Sequence, residues 1–145
     1  MSTNSVIIIQ EKTGRGLASI YCHWDGYPSH HLPILVAHYG TYEKVLALVA
    51  LGGLSSLDEQ VSPSTEPGAT YSMDGVTVAY HRDRGEDLEI MTYASLAEHC
   101  TQEYAYLFKD GEWFWSAGSD PNSFARAANH PDMQIENEIQ RRITS

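Results

Sequence analysis

Apolar residues fall in short, separated blocks along the chain, and their spacing switches between strand-like and helix-like. Val6-Ile7-Ile8-Ile9 is a β-branched run, and a second run from Leu17 to Trp24 follows the glycine-containing stretch Thr13-Gly14-Arg15-Gly16, which predicts a β-hairpin. Polar residues dominate from Asp25 to His31. Pro33 suits the first turn of a short helix, where its missing N–H is no loss, with Ile34, Leu35, His38 and Tyr39 on that helix and Gly40 ending it. Thr41 can cap a second helix carrying Val45, Leu46, Leu48, Val49 and Leu51, and Gly52-Gly53 stops it because glycine tolerates positive φ. Residues 58–75 hold Pro63, Pro67 and Gly68 among serines and threonines, which predicts a long surface loop. A third strand is predicted next, with Val76, Val78 and Tyr80 on one face and Thr77, Ala79 and His81 on the other, until Gly85 breaks it. The stretch from Leu88 to Tyr93 fits neither period, whereas Ser95-Leu96-Ala97-Glu98 has capping-box spacing and starts a short helix that reaches about Cys100.

The clearest local signal lies between Glu103 and Ser116, where Asp110-Gly111 supplies the residues of a two-residue type I′ turn. With those two as the loop, Lys109 faces Glu112, Phe108 faces Trp113, Leu107 faces Phe114 and Tyr106 faces Trp115. Tyr106, Phe108, Trp113 and Trp115 then share one face, and Leu107 and Phe114 the other, as in central strands or in a hairpin with one core face and one ligand-facing aromatic face. Asp132 is a suitable N-cap for a last helix with Ile135, Ile139 and Ile143 at four-residue spacing, for packing on the sheet or as a homo-oligomer seam. The expected architecture is one α+β domain over 1–145, with an approximately five-stranded mixed, largely antiparallel sheet and helices packed on it. Two helices and a long loop separate the second and third strands, enough chain for a parallel crossover. If those strands are parallel, the loop after Trp24 and the loop after His81 open on the same edge and can form one site.

Nine basic against nineteen acidic residues give a formal charge of −10, which repels nucleic-acid phosphates and argues against direct DNA binding. Such a surface serves solubility, or engages a basic protein, or mimics nucleic acid. Cys22 and Cys100 are the only cysteines and show no zinc-like spacing, so reduced thiols in a cytosol are expected. No apolar run approaches the ~18 residues of a membrane span, and Met1-Ser2-Thr3-Asn4 does not open a signal peptide.

The candidate ligand-binding residues are His23, Trp24, Asp25 and Tyr27 in the first polar loop and Arg82, Asp83, Arg84 and Glu86 in the second. Two guanidinium groups flanking Asp83 can clamp a phosphate or carboxylate, with Asp83 and Glu86 orienting them; equally, these charges can pair with one another and with Asp25 on a solvated rim. Trp24 and Tyr27 can stack on a base-like ring or cap the core, and Asp25 before Gly26 at minimum shapes a turn. His23, Asp25, His30, His31 and His38 offer metal-ligand atoms but match no recognised zinc pattern, so neither a metal nor another cofactor is expected. Cys22 and Ser29 lie near histidines in sequence only, and with no Gly-x-Ser-x-Gly elbow or phosphate-binding glycine loop, enzyme activity finds no support.

Three segments in order, Tyr21-Cys22-His23-Trp24-Asp25-Gly26-Tyr27-Pro28, Leu51-Gly52-Gly53-Leu54-Ser55-Ser56-Leu57 and Tyr80-His81-Arg82-Asp83-Arg84-Gly85-Glu86, resemble a family of small accessory proteins of tailed bacteriophages. In that family an acidic residue often stands where this chain has Gly53, and the His30-His31 pair is not typical. The resemblance implies a phage origin and a host-cytoplasm setting and carries no catalytic mechanism. Small phage proteins without enzyme motifs often inhibit host systems, so the leading expectation is a counter-defence protein that sequesters a nucleotide-type immune signal. The alternatives are an anti-CRISPR-like inhibitor whose acidic surface occupies a basic groove of a defence complex, and a small nucleotide-directed hydrolase or transferase with His23 as base and Asp25 as its orienter.

Overall fold

In the opening hairpin, Ile7, Ile9, Ile20 and Cys22 point to one face of a sheet while Val6 and Ile8 point to the other, and all six are buried. A strand that is apolar on both sides belongs in the middle of a sheet covered on both faces. The computed structural model describes residues 3–12, 16–61, 75–118 and 120–130. Its elements are β1 (Ser5–Gln10), β2 (Leu17–Cys22), α1 (Pro28–His38), α2 (Tyr42–Val49), β3 (Leu54–Ser56), β4 (Val78–Ala79), α3 (Tyr80–Arg84), α4 (Leu96–His99), β5 (Tyr104–Lys109), β6 (Glu112–Ala117) and β7 (Ala125–Arg126). They form an α+β architecture on one seven-stranded sheet in the order β4-β3-β2-β1-β5-β6-β7. The sheet is mixed and largely antiparallel, with β1–β5 and β2–β3 as the parallel pairs.

Helices α1 and α2 cover one face, where Leu32, Leu35, Tyr39, Val45 and Leu48 join Ile7, Ile20, Tyr106, Phe108 and Trp113 in the main core. Each such aliphatic side chain contributes about 1.5–3 kcal/mol on full burial. The other face holds a smaller core, in which Met91, Leu96 and Cys100 pack with Val6, Ile8 and Leu107. This second cover is fastened to β2 by polar bonds. Ser19 and Met91 exchange backbone hydrogen bonds, Ser19 Oγ lies 2.6 Å from His99 Nδ1, and the far nitrogen of that ring donates to the Tyr93 carbonyl at 2.8 Å. Cys22 and Cys100 are buried in different cores with the sheet between them, and both are free thiols.

The predicted β5–β6 hairpin matches its register pair for pair, with Asp110 and Gly111 both at positive φ as a type I′ turn requires. Thr41 caps α2 by accepting from the Lys44 N–H at 3.3 Å, and Ser95 caps α4 through both the N–H and the carboxylate of Glu98.

Three expectations need correction. Helix α1 begins at Pro28, not Pro33: Pro28 takes the first-turn position, Pro33 lies inside the helix, and burial of His31, Leu32 and Leu35 offsets the lost backbone bond. The sheet of seven strands agrees roughly with the expected five and adds the short strands β3 and β7, which no local pattern announces. The third predicted strand is cut to Val78–Ala79 and turns into α3 at Tyr80, where the Asp83 carboxylate accepts the Ala79 N–H at 2.8 Å and Gly85, at φ 70°, closes the helix. Finally, β3 is parallel to β2 but β4 is antiparallel to β3, so the second and third predicted strands are not parallel. The core of the predicted loop, 62–74, and the predicted helix after Asp132 lie outside the described residues. No helix among the described residues is long and apolar enough to cross a membrane.

Candidate functional site

Because β4 runs against β2, the two polar motifs leave the sheet in opposite directions, and only part of each reaches a common place. Strand β2 delivers Tyr21 and His23 to the same face by alternation, and the Tyr21 hydroxyl hydrogen-bonds His23 Nδ1 at 2.7 Å. Across β3, Gly53 bonds both ways: its N–H donates to the Glu89 carbonyl and its carbonyl accepts from the Tyr80 N–H, each at 3.1 Å. These bonds bring Tyr21, Gly53, Tyr80, Glu86, Asp87 and Glu89 around one open cleft of about 420 Å³. Burial and the neighbouring Tyr80 hold the Tyr21 phenol above its usual pKa, so it stays protonated beside His23. Arg84 lies over the Tyr80 ring, 5.4 Å from its centroid. Of the residues named from sequence, Glu86 lines the cleft, His23 reaches it through Tyr21, and Arg84 reaches it through Tyr80.

Arg82 and Asp83 serve another purpose. The Arg82 guanidinium donates to both oxygens of Asp83, to the Thr77 carbonyl at 2.8 Å and to the Val61 carbonyl. Asp83 in turn holds the Ala79 N–H at the start of α3. The pair staples β4, α3 and the Val61 segment together, and its donors point at protein carbonyls.

Trp24, Asp25 and Tyr27 form a separate, exposed turn. The indole and the His23 ring meet in a T-shaped arrangement, with ring centroids 4.7 Å apart, and the Tyr27 hydroxyl donates to Asp25 Oδ1 at 3.3 Å. The Asp25 charge holds the Tyr27 phenol above its usual pKa. His23 and Asp25 therefore each bond a tyrosine, and they do not form the base-and-orienter pair considered from sequence.

The other candidate ligands, His30, His31 and His38, each have a neighbour of their own. His30 donates from Nε2 to the Leu57 carbonyl, His31 is buried against Ser5, and His38 lies on the surface 3.8 Å from Glu59. Among the described residues no group of three or more His, Cys, Asp or Glu is placed to hold a metal ion. Burial pushes the Cys22 thiol up to about 12, which removes it as a nucleophile.

Sequence reasoning missed Tyr21, Gly53, Tyr80, Asp87 and Glu89. Tyr21 was visible as the same-face neighbour of His23, and Glu86-Asp87-Leu88-Glu89 as an acidic run, but their meeting depends on β3, whose three residues carry no strand period. Comparison with known proteins returns no match: no family model fits the chain, and no curated protein or solved structure is similar to it.

Proposed function

We propose that this protein is a viral accessory protein that inhibits a host defence system in the host cytoplasm, by occupying a basic surface of a defence protein with the cleft between β2 and α3. The observation that carries this reading is the charge of the cleft. Glu86, Asp87 and Glu89 line it with two phenols, while the nearby Arg82 guanidinium is engaged by Asp83 and two backbone carbonyls. A phosphate entering there meets three carboxylates, and like charges about 4 Å apart repel by roughly 1–4 kcal/mol per pair in wet surroundings. A lysine or arginine side chain meets attraction of the same order. Sequestration of a nucleotide would set Arg84, over the Tyr80 ring, against three carboxylates, and recruiting Arg82 as well means breaking its bonds to Asp83 and to two backbone carbonyls. The acidic-surface reading, second from sequence, is therefore the better supported.

The test has two arms. The parent protein and a Glu86→Gln/Asp87→Asn/Glu89→Gln variant are co-expressed with individual bacterial defence systems, and phage plating is scored. In parallel, calorimetry compares a basic oligopeptide with cyclic and linear nucleotides. Restored plating by the parent alone, with peptide binding that weakens in high salt, is the expected result. Nucleotide binding in place of peptide binding, or full activity of the variant, would overturn the reading.

A further inference from the structure

The turn from Trp24 to Tyr27 is held by its backbone and displayed by its side chains. Its N–H and carbonyl groups are taken up by several different parts of the fold. The Trp24 N–H donates to the Ser55 carbonyl of β3 at 3.0 Å, and the Gly26 N–H donates to the Thr3 carbonyl before β1 at 2.8 Å. The buried Tyr106 hydroxyl of β5 donates to the Gly26 carbonyl at 2.6 Å, and the Tyr27 carbonyl accepts the first amides of α1 from His30 and His31. A Cβ on Gly26 would sit 2.8 Å from both the Thr3 carbonyl oxygen and Ser5 Cβ, so the approach admits only glycine without a shift of the surrounding chain. Asp25 is meanwhile held at φ 56°, a conformation non-glycine residues rarely adopt.

This anchored frame leaves three chemically distinct side chains in solvent: an indole 46% exposed, a carboxylate and a phenol 38% exposed. The phenol hydroxyl already orients the carboxylate, and the indole packs at right angles to the ring of His23, which is itself tied to Tyr21. We infer that Trp24, Asp25 and Tyr27 form a preformed anchor for an arginine side chain of a basic protein partner. A guanidinium is a planar cation that can lie on an indole face and direct N–H groups at a carboxylate in the same pose, whereas an ammonium makes a point contact. A phosphate would face Asp25 with no cation in the turn. The chain's charge of −10 draws a basic partner in general; the turn selects arginine within it. Little ordering entropy is lost on binding, because backbone bonds already fix the geometry.

The inference rests on the reading of a basic partner, and its test separates the two. A short oligoarginine peptide and an oligolysine peptide of equal length are titrated by calorimetry against the parent, Trp24→Ala, Asp25→Asn and the triple cleft variant. Asparagine tolerates the positive φ at position 25, and circular dichroism checks that each variant is folded. The parent is expected to bind oligoarginine roughly five- to ten-fold more tightly than oligolysine. Trp24→Ala and Asp25→Asn should erase that preference while retaining the weaker, charge-driven binding, and the cleft variant should weaken both peptides together. An arginine preference that survives in both turn variants, or no preference in the parent, overturns the arginine anchor and leaves the acidic cleft standing. Loss of neither peptide in the cleft variant overturns the cleft instead.

Discussion

His31 is fully buried, with Nε2 3.1 Å from Ser5 Oγ. Burial, assisted by His30 nearby and opposed by the Asp25 backbone, lowers its pKa to about 3. In the unfolded chain the same ring titrates near its ordinary value of about 6.5, so below that pH the unfolded state takes up a proton that the folded state refuses. The stabilisation is complete above the unfolded value and is lost as the pH falls through the window down to about 3. Between neutral pH and pH ~5 the loss amounts to about 2 kcal/mol. Urea unfolding at the two pH values should show that difference in the parent, and His31→Leu should flatten it; an unchanged slope in the variant would mean another group is responsible. The His30-His31 pair illustrates what a sequence hides at this scale. Adjacent histidines read as solvated loop, and only the packing of α1 on Ser5 and Tyr106 shows one of them to be core.

At the scale of elements, legibility follows the distance over which a signal acts. The β5–β6 register was readable because Asp110-Gly111 and the alternating aromatics specify it within a few residues. The α2 and α4 caps were readable for the same reason. Strand β3 and the end of β4 were not, since Leu54–Ser56 becomes a strand only by lying beside Cys22, and Tyr80 leaves the strand only because Asp83 captures the Ala79 N–H. Two glycines separate backbone need from free space. Gly111 has φ 77° with nothing near its missing Cβ, so Gly111→Ala meets only the left-handed penalty and should cost about 1–2 kcal/mol in thermal unfolding. Gly53 has no positive φ, and a Cβ there would meet the Tyr80 ring at an ordinary 3.7 Å. Gly53→Ala should therefore be neutral, or stabilising by up to about 1 kcal/mol, through reduced freedom of the unfolded chain. A reversed order of the two variants would contradict the turn assignment. Asp83→Ala should act at a larger distance, loosening α3 and releasing Arg82, with faster amide exchange at Ala79 as the direct readout.

For the whole molecule, charge is the property the sequence states most plainly and places least well. A formal charge of −10 argues against a broad DNA-binding face but does not say where acidity is concentrated, and the loop chemistry drew attention to the arginines. Topology redistributes that chemistry: Arg82 and Asp83 become a staple, Trp24, Asp25 and Tyr27 an exposed turn, and the acidic run 86–89 joins two tyrosines from other parts of the chain. Global attraction and local recognition then make different predictions for a basic partner. If net charge alone governs binding, any three neutralised carboxylates weaken it equally, because a diffuse attraction depends only on the sum of the charges. If the cleft governs it, Glu86→Gln/Asp87→Asn/Glu89→Gln weakens binding much more than Glu11→Gln/Glu98→Gln/Glu103→Gln, although both variants carry the same net charge and all six positions are exposed. At physiological ionic strength, where screening acts within about 8 Å, the cleft variant is expected to lose at least ten-fold in affinity and the control less than two-fold. Equal losses in a salt titration of the two variants would reduce the surface to a diffuse acidic field.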